Sequence, residues 1–142
     1  DPVHRAIGLS HSGWRGTVKR MGEKTVQALK DAYGTRPEDL ICAIGPSICV
    51  DCYEVSQDTI NEFRKNYSQS ECELIIQPEN KPGKYLLNLP GADYINLINA
   101  GVRPENIYLS DVCTSENSDI LFSHRASSGK RGIMCNFIKI IN

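Results

Sequence analysis

The stretch HRAIGLSHSGWRGTVKRMGEKTVQALKDAY, residues 4–33, decides the fold class. His4–Ser10 alternates loosely and is rich in Ala, Ile and Leu, which predicts a strand. Gly13 and Gly16 then mark a tight turn around Trp14. From Thr17 to Tyr33 the apolar residues Val18, Val26, Leu29 and Tyr33 fall on one face of a predicted helix. Gly34 stands where a left-handed C-terminal cap belongs, and Pro37 blocks continuation. The opening unit is therefore strand, turn, helix.

The remaining residues repeat that alternation at irregular spacing. Leu40–Ile44 is a short apolar strand ended by Gly45-Pro46. Ser56 reads as an N-cap, with Ile60, Phe63 and Tyr67 forming the next helix face. Leu74-Ile75-Ile76 is a strand candidate, and Pro90 opens a helix that stops at Gly101. Ile107–Leu109 is another short strand. Residues 131–141 alternate best of all and predict the strongest strand. Ser110–Lys130 is polar and irregular, the kind of long loop that carries function. The fold class is α+β, with mixed β-sheets flanked by helices, in a single domain spanning 1–142. The chain starts on Asp1, almost within the first strand, so it reads as a portion of a longer polypeptide.

Composition narrows the function. Sixteen Lys+Arg against seventeen Asp+Glu in 142 residues give a net charge of −1, which argues against a nucleic-acid binder with a bulk basic surface. No apolar run approaches the roughly 18 residues of a membrane span. Six cysteines, without a secretory signal, read as thiols in a reducing compartment, and the expected location is the cytoplasm.

Three constellations hold reactive side chains. In the first, Gly13 and Gly16 before a helix start aim backbone N–H groups at one point, where Thr17 and the guanidinium of Arg15 add donors for an anion. His11, at the strand end, is a metal ligand or general base. A simple tight turn with a packed Trp14 explains the same residues. In the second, Cys49 and Cys52 form a C-x-x-C, half of a zinc site or a redox pair. Completing zinc there requires Cys113 and perhaps His124. Nearby, Glu54 between apolar residues is a candidate acid with a raised pKa, or else one arm of a surface ion pair. In the third, Ser123, His124, Arg125, Lys130 and Arg131 make a basic loop suited to phosphate, or a solvated rim. The chain has three histidines, His4, His11 and His124, too few for a set of imidazole-rich copper sites.

The blocks His11-Ser12-Gly13-Trp14-Arg15-Gly16-Thr17, Ile44-Gly45-Pro46-Ser47-Ile48, Cys52-Tyr53-Glu54-Val55, Asp111-Val112-Cys113-Thr114 and Phe122-Ser123-His124-Arg125 occur in this order. Together they resemble the laccase-like polyphenol oxidoreductases, also described as purine nucleoside phosphorylases and, in part, as peptidoglycan editing factors. The resemblance covers essentially the whole chain. It implies an α+β fold of mixed sheets and phosphorolysis of adenosine, inosine and methylthioadenosine, with adenosine deamination. It also implies zinc held by two His and one Cys. His11 matches one of these ligands, and the other two belong to motifs upstream of this block. In this reading His11, Arg15, Glu54 and Arg125 are catalytic. Gly13, Gly16, Thr17, Ser123 and Lys130 bind substrate or phosphate. The partners are a purine nucleoside and phosphate, with no nucleic acid and no membrane. Copper-dependent phenol oxidation, hydrolysis of a cell-wall precursor and an inactive fragment are the alternatives. The chain departs from the pattern at Cys49, where Gly is frequent, at Asn88, where Asp is common, and at His124, where Tyr is usual.

Overall fold

The computed structural model describes residues 1–141. Its elements, in chain order, are α1 (Trp14–Val18), α2 (Met21–Tyr33), β1 (Cys42–Ile44), β2 (Glu54–Ser56), α3 (Gln57–Asn66), α4 (Gln69–Ile75), β3 (Ile76–Pro78), β4 (Lys84–Leu87), α5 (Leu89–Asn99) and β5 (Ile107–Leu109). Strand β1 pairs in parallel with β5, while β4 lies antiparallel between β2 and β3. The class is α+β, as expected, with one parallel and one antiparallel sheet among the described residues.

The residues group into two compact units. One comprises 1–44, 93–109 and the residues from Asn136 onward. Its core is Ala6, Val26, Leu29, Leu40, Val102 and Ile107, all buried. Leu97 and Ile98 of α5 pack against this cluster. The other unit comprises 45–92 and 110–135. Its center is α3, where Ile60 and Phe63 are fully buried one turn apart. The Phe63 and Tyr67 rings meet at 5.4 Å between centroids. Asp58 in the first turn of α3, and Arg64 and Lys65 in the last, complement the helix dipole. In α4, Ser68 and Glu71 close a reciprocal capping box.

Five expectations need correction. The helix expected over 17–33 is two helices, beginning at Trp14 and interrupted at Arg20, which sits in the left-handed region at φ 60°. The cause is a distant amide. Buried Asn96 donates to the Thr17 carbonyl at 3.0 Å, and the same carbonyl accepts from Arg20 N, so it is spent before Met21 N–H can use it. Asn96 Oδ1 accepts from the Arg20 guanidinium at 3.1 Å, which offsets the roughly 1–2 kcal/mol cost of a left-handed residue. Tyr33, expected on the apolar face, is 54% exposed.

Residues 4–10 form a turn and an irregular segment, not a strand. Leu74 and Ile75 close α4, and only Ile76 enters a strand. Residues 131–141 contain no strand either, and Phe137 is 91% exposed. Alternation makes a strand only where a neighbor offers its backbone, and no described strand pairs with this segment.

Candidate functional site

Residues 11–17 fold as a turn entering α1. Gly13 is the N-cap, and its carbonyl accepts from Gly16 N at 2.7 Å and Thr17 N at 2.9 Å. Those two N–H groups are therefore used within the turn, which corrects the expectation that Gly16 and Thr17 hold phosphate. Thr17 is also fully buried, and its hydroxyl bonds to Ser12 and to the Gly13 carbonyl. What the turn presents outward is His11 and Arg15, both exposed. The Arg15 guanidinium lies over the Trp14 ring, 4.4 Å from its centroid. The imidazole lies across Gly13, where an added Cβ would come within 3.1 Å of His11 Nε2. Glycine at 13 thus gives the imidazole its place.

Beneath the turn lies Asp93 of α5, which the sequence reading missed. Ser12 Oγ donates to Asp93 Oδ1 at 2.8 Å. Burial raises the Asp93 pKa above its ordinary value, against the opposing pull of Ser12, Thr17 and His11. The signal was a carboxylate one position after buried Ala92 and three before buried Asn96. A raised folded-state pKa means stability present below the unfolded pKa and lost as pH rises through the folded one. Asp93→Asn keeps an acceptor for Ser12 and removes that loss. Urea unfolding should show the variant gaining on the parent protein as pH rises from 4 to 7. A gap that stays constant or shrinks would contradict this account.

The second constellation gathers around β2. Glu54 does not have the raised pKa expected of an acid. Lys81 at 3.0 Å and Lys84 at 3.2 Å hold its carboxylate below the usual range, so the candidate acid is the ion-pair arm. Arg125 is likewise committed to structure. It donates to the Cys52 carbonyl at 3.3 Å and the Glu54 carbonyl at 2.7 Å, and lies 5.3 Å from the Tyr53 ring centroid. It clamps the Cys-Tyr-Glu segment.

Cys49 and Cys52 meet Cys113 and Glu116, with donor atoms all within 4.8 Å of one another. The expected recruit Cys113 is there, but Glu116 takes the place foreseen for His124. Burial and the neighboring thiols push Cys49 up to about 12. At Cys113 burial also works upward, yet the backbone N–H groups of Cys49, Glu116 and Ser115 and the Cys49 thiol together outweigh it and hold the thiol below its ordinary value. None of the six cysteines is in a disulfide.

The long loop brings only part of its set together. Lys130 and Arg131 border an open hollow of about 300 Å³ with Ser118 and Phe122. Ser123 lines it too, but is buried and serves the loop itself. Its hydroxyl accepts from Ala126 N, and its carbonyl accepts from Ser127. Ser123 as a substrate contact is therefore corrected to a turn-forming residue, while Lys130 and Arg131 are both exposed.

Residues 1–141 match the family described as multi-copper polyphenol oxidoreductase laccase. This chain belongs to that family. Purine nucleoside phosphorylase YlmD of Bacillus subtilis is 32% identical over 97% of the chain and 49% of its own length. Purine nucleoside phosphorylase of Deinococcus radiodurans is 36% identical over 94% of the chain and 49% of its own length. The solved structure of Bacillus licheniformis hypothetical protein YfiH superposes with a TM-score of 0.82 at 31% identity, covering 92% of this chain and 48% of that one. The chain thus spans about half the length of the relatives it matches. Among the described residues, the one gathering of three or more donor side chains contains no histidine, whereas sets of copper sites draw on imidazole. No helix among the described residues is long and apolar enough to cross a membrane.

Proposed function

We propose that this chain carries part of the active site of a cytoplasmic purine nucleoside phosphorylase acting on adenosine, inosine or methylthioadenosine. The observation that carries the reading is the exposed pair His11 and Arg15 on one rigid turn. Relatives named purine nucleoside phosphorylase, at 32% and 36% identity, support it.

Phosphorolysis joins a phosphate oxygen to the anomeric carbon and breaks the carbon–nitrogen bond. The bonding pair leaves with the purine, which takes up a proton. Arg15 suits the phosphate, because a planar guanidinium offers two parallel N–H donors and keeps its charge. Stacking on Trp14 limits the orientations it must lose on binding. Ser12, anchored to Asp93, supports the turn from below. Lys130 offers a further cation in the basic loop. Arg125 is a positioning residue for Tyr53 and Glu54. His11 is offered as one ligand of a zinc center whose other ligands lie outside the described residues. Zinc there would supply the polarized water that adenosine deamination needs.

The whole protein, at the length of its relatives, should release hypoxanthine from inosine only when phosphate is present. Release at the same rate without phosphate would mark a hydrolase. Turnover of phenols requiring copper and oxygen would replace the reading altogether.

A further inference from the structure

We propose that Cys49, Cys52, Cys113 and Glu116 form a tetrahedral zinc site, separate from the His11 turn, that fastens the two chain segments of its unit. The segments are 45–92 and 110–135. Cys49 and Cys52 come from a tight turn in the first, and Cys113 and Glu116 from the second.

The geometry fits a single ion. Zinc–sulfur bonds of about 2.3 Å put tetrahedral sulfurs about 3.8 Å apart, and a sulfur and an oxygen slightly closer. Glu116 Oε1 lies 3.7 Å from Cys49 Sγ and 3.9 Å from Cys52 Sγ, and all four donor atoms fall within 4.8 Å of one another. Glu116 already stands at bonding separation from both sulfurs, and a contraction of up to about 1 Å in the longest donor–donor separation closes the site.

The backbone around it is already set. Thr114 N donates to the Ser47 carbonyl at 2.9 Å, and Ser47 N to the Val112 carbonyl at 3.3 Å. Cys49 N points at Cys113 Sγ at 3.3 Å, a donor that favors the thiolate a metal requires. A disulfide between Cys49 and Cys52 would explain two of the four groups and leave a third sulfur and a carboxylate converging on the same point. A cation explains all four.

Donor chemistry selects the ion. Three thiolates exclude magnesium and calcium, which prefer oxygen. A carboxylate beside them suits zinc better than copper(I). Four protein donors leave no open position, so the site is structural. It holds the backbone on which Arg125 is anchored, since Cys52 and Glu54 supply the two carbonyls that accept from that guanidinium.

The test is metal analysis of the whole protein purified from zinc-supplemented cells under reducing conditions. Cys49→Ser/Cys52→Ser and Cys113→Ser should each contain about one zinc fewer per chain than the parent protein. Cys42→Ser and Cys135→Ser should lose none, and His11→Ala should keep this ion whatever becomes of phosphorolysis. Should the cysteine variants fail to fold, cobalt titration of the chelated parent protein still decides, because only binding at this site shields Cys49, Cys52 and Cys113 and gives the charge-transfer intensity of three thiolates rather than one. Intense visible bands and a sulfur-to-cobalt charge-transfer band are expected, with Cys49, Cys52 and Cys113 protected from thiol reagents. Glu116→Gln should weaken cobalt binding by at least tenfold. Unchanged zinc in the variants, absent charge-transfer bands, or a Cys49–Cys52 disulfide persisting in reduced, zinc-loaded protein would overturn the proposal.

Discussion

Replacing Arg15 by Ala in the whole protein is expected to raise the KM for phosphate by about 10- to 150-fold. The figure follows from the roughly 1.5–3 kcal/mol that hydrogen bonds to a charged group contribute, at about 1.4 kcal/mol per tenfold. The KM for the nucleoside should change far less, because in this reading the guanidinium serves the anion and not the base. Arg15→Lys should recover part of the loss, keeping the charge but not the planar fork or the stack on Trp14. Steady-state kinetics with phosphate and inosine varied in turn separates the two constants. An unaltered phosphate KM would remove Arg15 from the site.

Phe63→Ala carries the largest expected cost in stability, about 3–5 kcal/mol. The side chain is fully buried in α3 and meets Tyr67, which is itself only 5% exposed. Ile60 and Ile75 are equally enclosed, so collapse into the void is restricted. Urea unfolding of the variant and the parent protein at fixed pH gives the difference. Expected along with it is loosening of the sheet that follows α3 and α4, because Ile75 carries the carbonyl that accepts from Asn88 N just beyond β4. A loss below about 1 kcal/mol would mean the site repacks, and would contradict the packing described here.

Where local signals sufficed, the sequence was readable. Helix α3 shows its apolar spacing, its Ser56 cap position and its charged ends within a dozen residues. Strand β1 is marked by an apolar run ended by Gly-Pro, and Gly34 takes the left-handed conformation at φ 71° that closes α2. The clearest failure involves a partner far away in the chain. Nothing near Arg20 says that the helix must break there, since the cause is Asn96, 79 residues beyond Thr17. Leu74-Ile75-Ile76 serves a helix end as well as a strand, and the capping box at Ser68 tips most of it to the helix. Residues 131–141 show that alternation is a necessary pattern for a strand but not a sufficient one.

The same division holds for reactive residues. His11 and Arg15 share one turn and were visible together. The C-x-x-C and its third cysteine were visible as candidates, but Glu116 was one of seventeen carboxylates until the fold brought it 3.7 Å from Cys49. Glu54 was misjudged because its flanking residues are apolar while its counterions, Lys81 and Lys84, arrive from the edge of β4. Thr17 was chosen for the helix start and Ser123 as part of the basic loop, and both are engaged within their own turns.

The most direct measurement is phosphorus NMR of the whole protein incubated with inosine and inorganic phosphate. A ribose 1-phosphate resonance growing in step with released hypoxanthine, and absent with Arg15→Ala, is the predicted result. Free ribose accumulating while the phosphate signal stays constant would contradict the assignment of the His11–Arg15 turn to phosphorolysis.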